Sequence, residues 1–148
     1  EIETMGAEAS DSLEVFLSAC DLVTLHCPST SKTRKMIDAD ALRQMKPGAI
    51  LVNLSRGDLV DTDALVEALE CGHLSGAALD VCDPEPIPAG HPLLKMPNVI
   101  VAPHIASVSQ TAVRRLRESA AEAVARAIRG EVPINVVNGV DRPRSLKE

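Results

Sequence analysis

Three ionisable residues of this chain each follow an apolar run: Arg56 in Asn53-Leu54-Ser55-Arg56-Gly57, Glu85 in Asp83-Pro84-Glu85-Pro86, and His104 in Pro103-His104-Ile105-Ala106. Brought together, such a set can bind a carboxylate, orient an imidazole and move a proton. Guanidinium offers a planar fork that matches a carboxylate bidentately. Imidazole is the side chain best suited to give and recover a proton near neutral pH. A carboxylate hydrogen-bonded to that imidazole fixes its tautomer. Each residue also has a plainer reading. Arg56 alone is as compatible with an ion pair to a neighbouring loop, and a lone His104 with a satisfied structural role. A Glu85–His104 contact would decide for chemistry, and it is predicted here. Gly57 lets backbone or ligand approach the arginine closely.

These residues need elements that carry them to one place, and the apolar pattern supplies strand–helix alternation. Asp21 to Cys27 reads as a short strand ended by Pro28, Ala49 to Leu54 as a strand covered on both faces, and Ser75 to Val81 and Asn98 to Ala102 as two more. Asp38 to Met45 reads as a brief helix stopped by Lys46-Pro47-Gly48, and Asp61 caps a helix through Glu70 with Gly72 beyond it. Ser107 to Arg129 is a long helix with Val113, Leu116, Ala120, Val124 and Ala127 on one stripe and arginines, taken as solvated, around the rest. The alternation implies right-handed crossovers and a parallel sheet. From Asp83 to Pro97 a stiff, Pro-rich loop replaces the helical crossover. The last ten residues read as a mobile tail.

In parallel α/β sheets, ligands bind beyond the carboxyl ends of the strands. His26-Cys27-Pro28, Ser55-Arg56-Gly57, Asp80 and His104 all fall at such ends. Asp80 can accept a hydrogen bond from a ligand amide or cap the following turn. His26 either lines the site or is structural, and His73 and His91 read as surface residues.

Composition narrows the function classes. A chain of 148 residues with 45% hydrophobic and 24% charged residues can bury one domain's core. Its net charge of −6, with no aromatic-plus-basic patch, speaks against a nucleic-acid partner. No apolar run approaches a membrane span. Cys20, Cys27, Cys71 and Cys82 form no CxxC pair, which favours a reduced, cytoplasmic setting and no metal site.

At this point the motifs resemble a family. HCP with Thr33 (26–33), NLSRGDLVD (53–61), ALECGHLSGAALDV (68–81), DPEP (83–86), HPLLKMPNVIVAPHIA (91–106) and INVVNG (134–139) resemble the D-isomer-specific 2-hydroxyacid dehydrogenases, in that family's order and spacing. The resemblance implies a partial Rossmann-like α/β fold, a parallel sheet of about four strands with flanking helices and a long C-terminal helix. It implies interconversion of a small 2-oxo acid and a D-2-hydroxy acid with a nicotinamide cofactor, NAD first and NADP as the alternative. Arg56 would hold the substrate carboxylate, His104 would protonate the carbonyl oxygen and Glu85 would hydrogen-bond His104. Cys27, Pro28, Leu54, Ser55, Asp80, His104, Ala106 and Ser107 match positions that meet the nicotinamide end of the cofactor, Cys27 and Leu54 mainly through backbone. Cys82 stands where the family often has an aromatic residue, and Ala106 where it often has glycine.

The family's GxGxxG loop, which grips the pyrophosphate, does not occur in these 148 residues. The chain therefore reads as the C-terminal part of an NAD-binding domain (residues 1–130) with a tail (131–148), lacking the glycine-rich loop and the substrate domain, and inactive alone. The strand 21–27 should then be an open apolar edge, prone to pairing, and a homodimer is expected. Relatives that keep the same residues as nucleotide-sensing corepressors, and an inactive remnant, are the alternatives.

Overall fold

The computed structural model describes residues 3–137 and 139. Four parallel strands form one sheet in the order β1 (Leu22–Leu25), β2 (Ile50–Asn53), β3 (Gly76–Leu79) and β4 (Val99–Val101). Three short helices precede or join them: α1 (Leu13–Ala19), α2 (Ala39–Gln44) and α3 (Thr62–Glu70). These elements make up one compact unit, Glu1–Ala106, and a second unit, Ser107–Glu148, holds the long helix α4 (Gln110–Ile128). The partial Rossmann-like architecture expected from the sequence is therefore present.

Local chemistry explains where the helices start. Asp38 accepts the Ala41 N–H at 2.9 Å and Asp61 accepts that of Ala64 at 3.2 Å, so each carboxylate satisfies an orphan donor of the first turn. Gly72, at φ +73°, takes the left-handed conformation just after α3. Ser12 caps α1 in the same manner as the aspartates, on a short segment that the strand–helix alternation did not single out.

Register sets the rim. Leu25 pairs with Asn53, Asn53 with Leu79, and Leu79 with Val101. The four strands thus end level, and every loop after them leaves from one line.

The core lies on one face of the sheet. Val23, Leu25, Leu51, Ala77 and Leu79 point into it and meet Leu17 of α1, Leu42 of α2, and Leu65 and Leu69 of α3. On the other face Leu22 is 52% exposed, Ile50 38% and Ile100 70%, while Val52 and Ala78 are half-buried. This corrects the expectation that 49–54 is covered on both faces. Successive right-handed crossovers to the next strand on the same side put α2 and α3 on the same face. An all-apolar strand therefore need not be a doubly buried one. As expected, β1 is an edge strand.

In the second unit Ser109 accepts the Ala112 N–H at 3.1 Å and starts α4. No residue of α4 is buried, and Leu116 and Val124 of the expected stripe are exposed. Arg126 departs from the solvated reading: it is half-buried and donates to the Val132 carbonyl at 3.0 Å. The expected mobile tail lies, apart from residue 139, outside the described residues.

Candidate active site

Two loops at the rim are tied down by buried polar side chains at the ends of the central strands. Asn53 closes β2 and is 1% exposed. Its Nδ2 donates to the Arg56 carbonyl at 2.8 Å, and its Oδ1 accepts the Ser55 N–H at 3.1 Å. Asp80 follows β3 and is 4% exposed. Its two carboxylate oxygens accept the Ile105 and Ala106 N–H groups, both at 2.8 Å, and its own carbonyl accepts the His104 N–H at 2.8 Å. His104 has φ +55°, a left-handed conformation that a non-glycine residue adopts at a cost of roughly 1–3 kcal/mol. Three hydrogen bonds to one residue offset that cost.

Glu85 reaches the same turn from the Pro-rich loop. Its Oε1 lies 2.7 Å from His104 Nδ1, and both side chains are nearly half exposed. With Nδ1 donating to the carboxylate, the other ring nitrogen, Nε2, is the one available to a ligand. The predicted contact is present.

The arginine loop packs directly on the glutamate loop. A Cβ on Gly57 would sit 2.0 Å from the Cys82 carbonyl oxygen, so only glycine allows this approach. Thr62 Oγ1 adds a hydrogen bond to the Asp83 carbonyl at 2.8 Å. The arginine side chain is exposed, and its guanidinium donates to the Ser55 carbonyl at 2.7 Å. Arg56, Gly57, Cys82, Asp83 and Glu85 line a cavity of about 290 Å³. Glu85 also lines an adjoining, largely apolar cavity of about 300 Å³ with Asp80, Pro86, Leu94 and His104. Arg56 and Glu85 therefore share one cavity and Glu85 and His104 the other, with Glu85 linking the two. Burial, and then the Glu85 charge, hold the Cys82 thiol above the ordinary thiol range.

The remaining sequence-predicted residues distribute along the rim. Cys27 is half-buried after β1, its thiol donating to Met36 Sδ at 3.6 Å. Pro28 is exposed, its carbonyl accepting from Thr33 Oγ1 at 2.7 Å. Leu54 is 45% exposed and Ser55 half-buried. Ala106 is exposed and held through its N–H by Asp80. Ser107 opens the second unit and is exposed. Of the histidines read as surface residues, His73 is half-buried with Nε2 3.0 Å from the Leu42 carbonyl, and half-buried His91 accepts the Leu93 N–H at 3.3 Å. His26 pairs with Thr24 Oγ1 at 3.1 Å. The loop ties made by Asn53 and Thr62 were not foreseen. A polar residue closing the apolar run AILVN was the available signal for the first.

Known proteins match this chain in sequence and fold. Residues 1–106 fit the family model of the D-isomer specific 2-hydroxyacid dehydrogenase, NAD binding domain. The chain is 46% identical over 140 residues to a glyoxylate reductase of Thermofilum pendens, covering 93% of this chain and 41% of that protein. A D-lactate dehydrogenase with NAD+ from Lactobacillus jensenii superposes with a TM-score of 0.81 at 36% identity, over 89% of this chain and 43% of that one. A D-isomer specific 2-hydroxyacid dehydrogenase from Xanthobacter autotrophicus Py2, in complex with NADPH and MES, gives 0.70 at 38% identity, over 85% and 51%. The chain spans about two-fifths of the length of the curated relatives it matches. Matched along its first unit by that family model, and carrying an NAD-binding fold whose rim joins Arg56, Glu85 and His104, the chain belongs to the family of D-isomer specific 2-hydroxyacid dehydrogenases.

Proposed function

We propose that the whole protein interconverts a small 2-oxo acid and its D-2-hydroxy acid with NAD as cofactor, NADP being the alternative. The observation that carries this reading is the 2.7 Å contact between Glu85 and His104 Nδ1, which leaves Nε2 for the substrate oxygen. Nicotinamide chemistry fits the rim: Leu54 leaves the end of β2 exposed, and His104 lines a largely apolar cavity beyond the strand ends. Cys27, Pro28, Ser55, Asp80, Ala106 and Ser107 are assigned to the same nicotinamide end.

The nicotinamide ring, when bound, supplies the hydride in reduction and takes it back in oxidation. Everything else in the step falls to this chain's residues. Arg56 binds the substrate carboxylate through its guanidinium fork and fixes the carbonyl in place. His104 gives its Nε2 proton to the carbonyl oxygen as that oxygen gains charge, so the carbonyl becomes a hydroxyl. In oxidation the neutral Nε2 takes the hydroxyl proton. Glu85 holds the ring in the tautomer and orientation that both directions need. A placed proton donor of this kind contributes about 10²–10⁴ in rate.

The 148 residues contain no glycine-rich phosphate loop, and in this reading they do not turn over alone. Residues 1–130 serve as part of the nucleotide domain and 131–148 follow it. The protein is read as a cytoplasmic homodimer. The free cysteines support the compartment.

The test is hydride transfer by the full-length protein with NADH or NADPH and glyoxylate or hydroxypyruvate, and in reverse with NAD+ or NADP+ and 3-phosphoglycerate. Glycolate is achiral, so the hand of the product is read from hydroxypyruvate, where D-glycerate is expected. Formation of L-glycerate, or unchanged turnover by His104→Ala, would overturn the proposal.

A further inference from the structure

We infer that Asn53 is the positioning residue of the carboxylate clamp, holding the Arg56 backbone through both ends of its amide. The inference rests on the reading of Arg56 as the clamp. Asn53 and Asp80 are the buried polar side chains among the described residues. Each stands at the carboxyl end of a central strand, and each spends its whole polar group on a loop that bears a proposed catalytic residue. Their chemistries differ as the loops do. The His104 turn offers two N–H groups, and a carboxylate meets them. The Arg56 loop offers one N–H, from Ser55, and one C=O, from Arg56 itself, and only an amide can accept the first and donate to the second.

That arrangement pins the chain on either side of the Arg56 Cα. The Ser55–Arg56 peptide oxygen takes the guanidinium at 2.7 Å, and the following carbonyl takes the Asn53 amide at 2.8 Å. Gly57 then seats the loop against Cys82. Apart from its hydrogen bond to Ser55, the exposed arginine side chain takes its direction from this backbone. Aspartate at position 53 could not donate to the Arg56 carbonyl, and serine would be too short to reach it. Misplacing a substrate-binding group by about 1 Å can cost 10²-fold in rate.

Steady-state kinetics of the full-length protein with NADH and glyoxylate test the inference by a double-mutant cycle. Asn53→Ala should lower kcat/KM by about 10- to 100-fold, mostly through a higher KM for glyoxylate. Arg56→Ala should lower it further. The double variant should be no worse than Arg56→Ala within about threefold, because Asn53 acts through the arginine. If Asn53→Ala costs the same factor in the Arg56→Ala background, the residue is merely structural and the inference fails while the function stands. If Arg56→Ala alone leaves kcat/KM unchanged, the clamp reading fails and takes the inference with it. Asn53→Ser, which keeps an acceptor for the Ser55 N–H and no longer reaches the Arg56 carbonyl, carries the same cycle should the alanine variant not fold.

Discussion

Glu85 Oε1 lies 2.7 Å from His104 Nδ1 across 19 positions of sequence, so one ring nitrogen of the histidine is committed to a carboxylate and the other is not. A hydrogen bond with a charged partner contributes about 1.5–3 kcal/mol, which corresponds to roughly 10- to 100-fold in rate when it is needed to orient a proton donor. Glu85→Gln in the full-length protein should lower kcat by that factor. His104→Ala should lower it by about 10²–10⁴. Steady-state assays with glyoxylate read both, and a Glu85→Gln enzyme at wild-type kcat would show that the contact does not serve the reaction.

Asp80 holds the left-handed turn at His104 with both carboxylate oxygens. Asp80→Asn sets an amide N–H against a backbone N–H and leaves one buried donor unmet, at a cost of about 1–3 kcal/mol. The melting temperature and kcat should fall together. A variant with wild-type values in both would show that the turn keeps its shape without the carboxylate.

Gly57 meets the Cys82 carbonyl so closely that a methyl group cannot enter. Gly57→Ala should push the arginine loop off the glutamate loop, costing about 1–3 kcal/mol of stability. It should also raise KM for the 2-oxo acid. Thermal unfolding read beside KM separates the two effects, and an alanine variant equal to wild type in both would contradict the packing.

Asp61 caps α3 and is bonded by Lys35 Nζ at 2.9 Å. The Lys35 hydrogen bond, followed by the Ala64 N–H, holds its carboxyl below the ordinary aspartate value of 3.8. A depressed carboxylate contributes stability above its unfolded pKa and loses it as pH falls through the folded one. Asn caps as well as Asp. Asp61→Asn should therefore be less stable than wild type at pH 6, and the difference should begin to shrink as pH falls below about 3.8, toward the lower folded value. Thermal unfolding between pH 3 and 7 checks this, and a pH-independent difference would contradict it.

Cys82 is half-buried beside Glu85, and its thiol stays protonated well above neutral pH. The thiolate is the reactive form. Iodoacetamide at pH 7.5 should label the exposed Cys71 well before Cys82, as peptide mapping would show. Equal rates would mean that the thiol is not shielded.

The alternation of apolar runs and capping aspartates was legible because it is local. Asp38 and Asp61 start helices within a few residues of themselves, and AILVN makes a strand whatever lies beside it. The coverage of that strand was not legible. Which face is buried depends on where α2 and α3 cross, and Ile50 shows no sign in sequence that it faces outward. His73 and His91, read as surface residues, are half-buried, and their backbone partners at Leu42 and Leu93 are supplied by the fold and by a tight turn.

By itself the sequence determined the element order, the helix caps, the family to which the motifs point, and the residue types able to clamp, orient and protonate. Only the tertiary structure decided which of them meet. The level strand ends set by parallel register, the Gly57–Cys82 contact and the carboxylate of Asp80 bring together groups 19 to 26 positions apart. Such closures form because a buried amide or carboxylate must find partners. Which partners it finds is fixed by the register and packing of the sheet, which no single segment encodes.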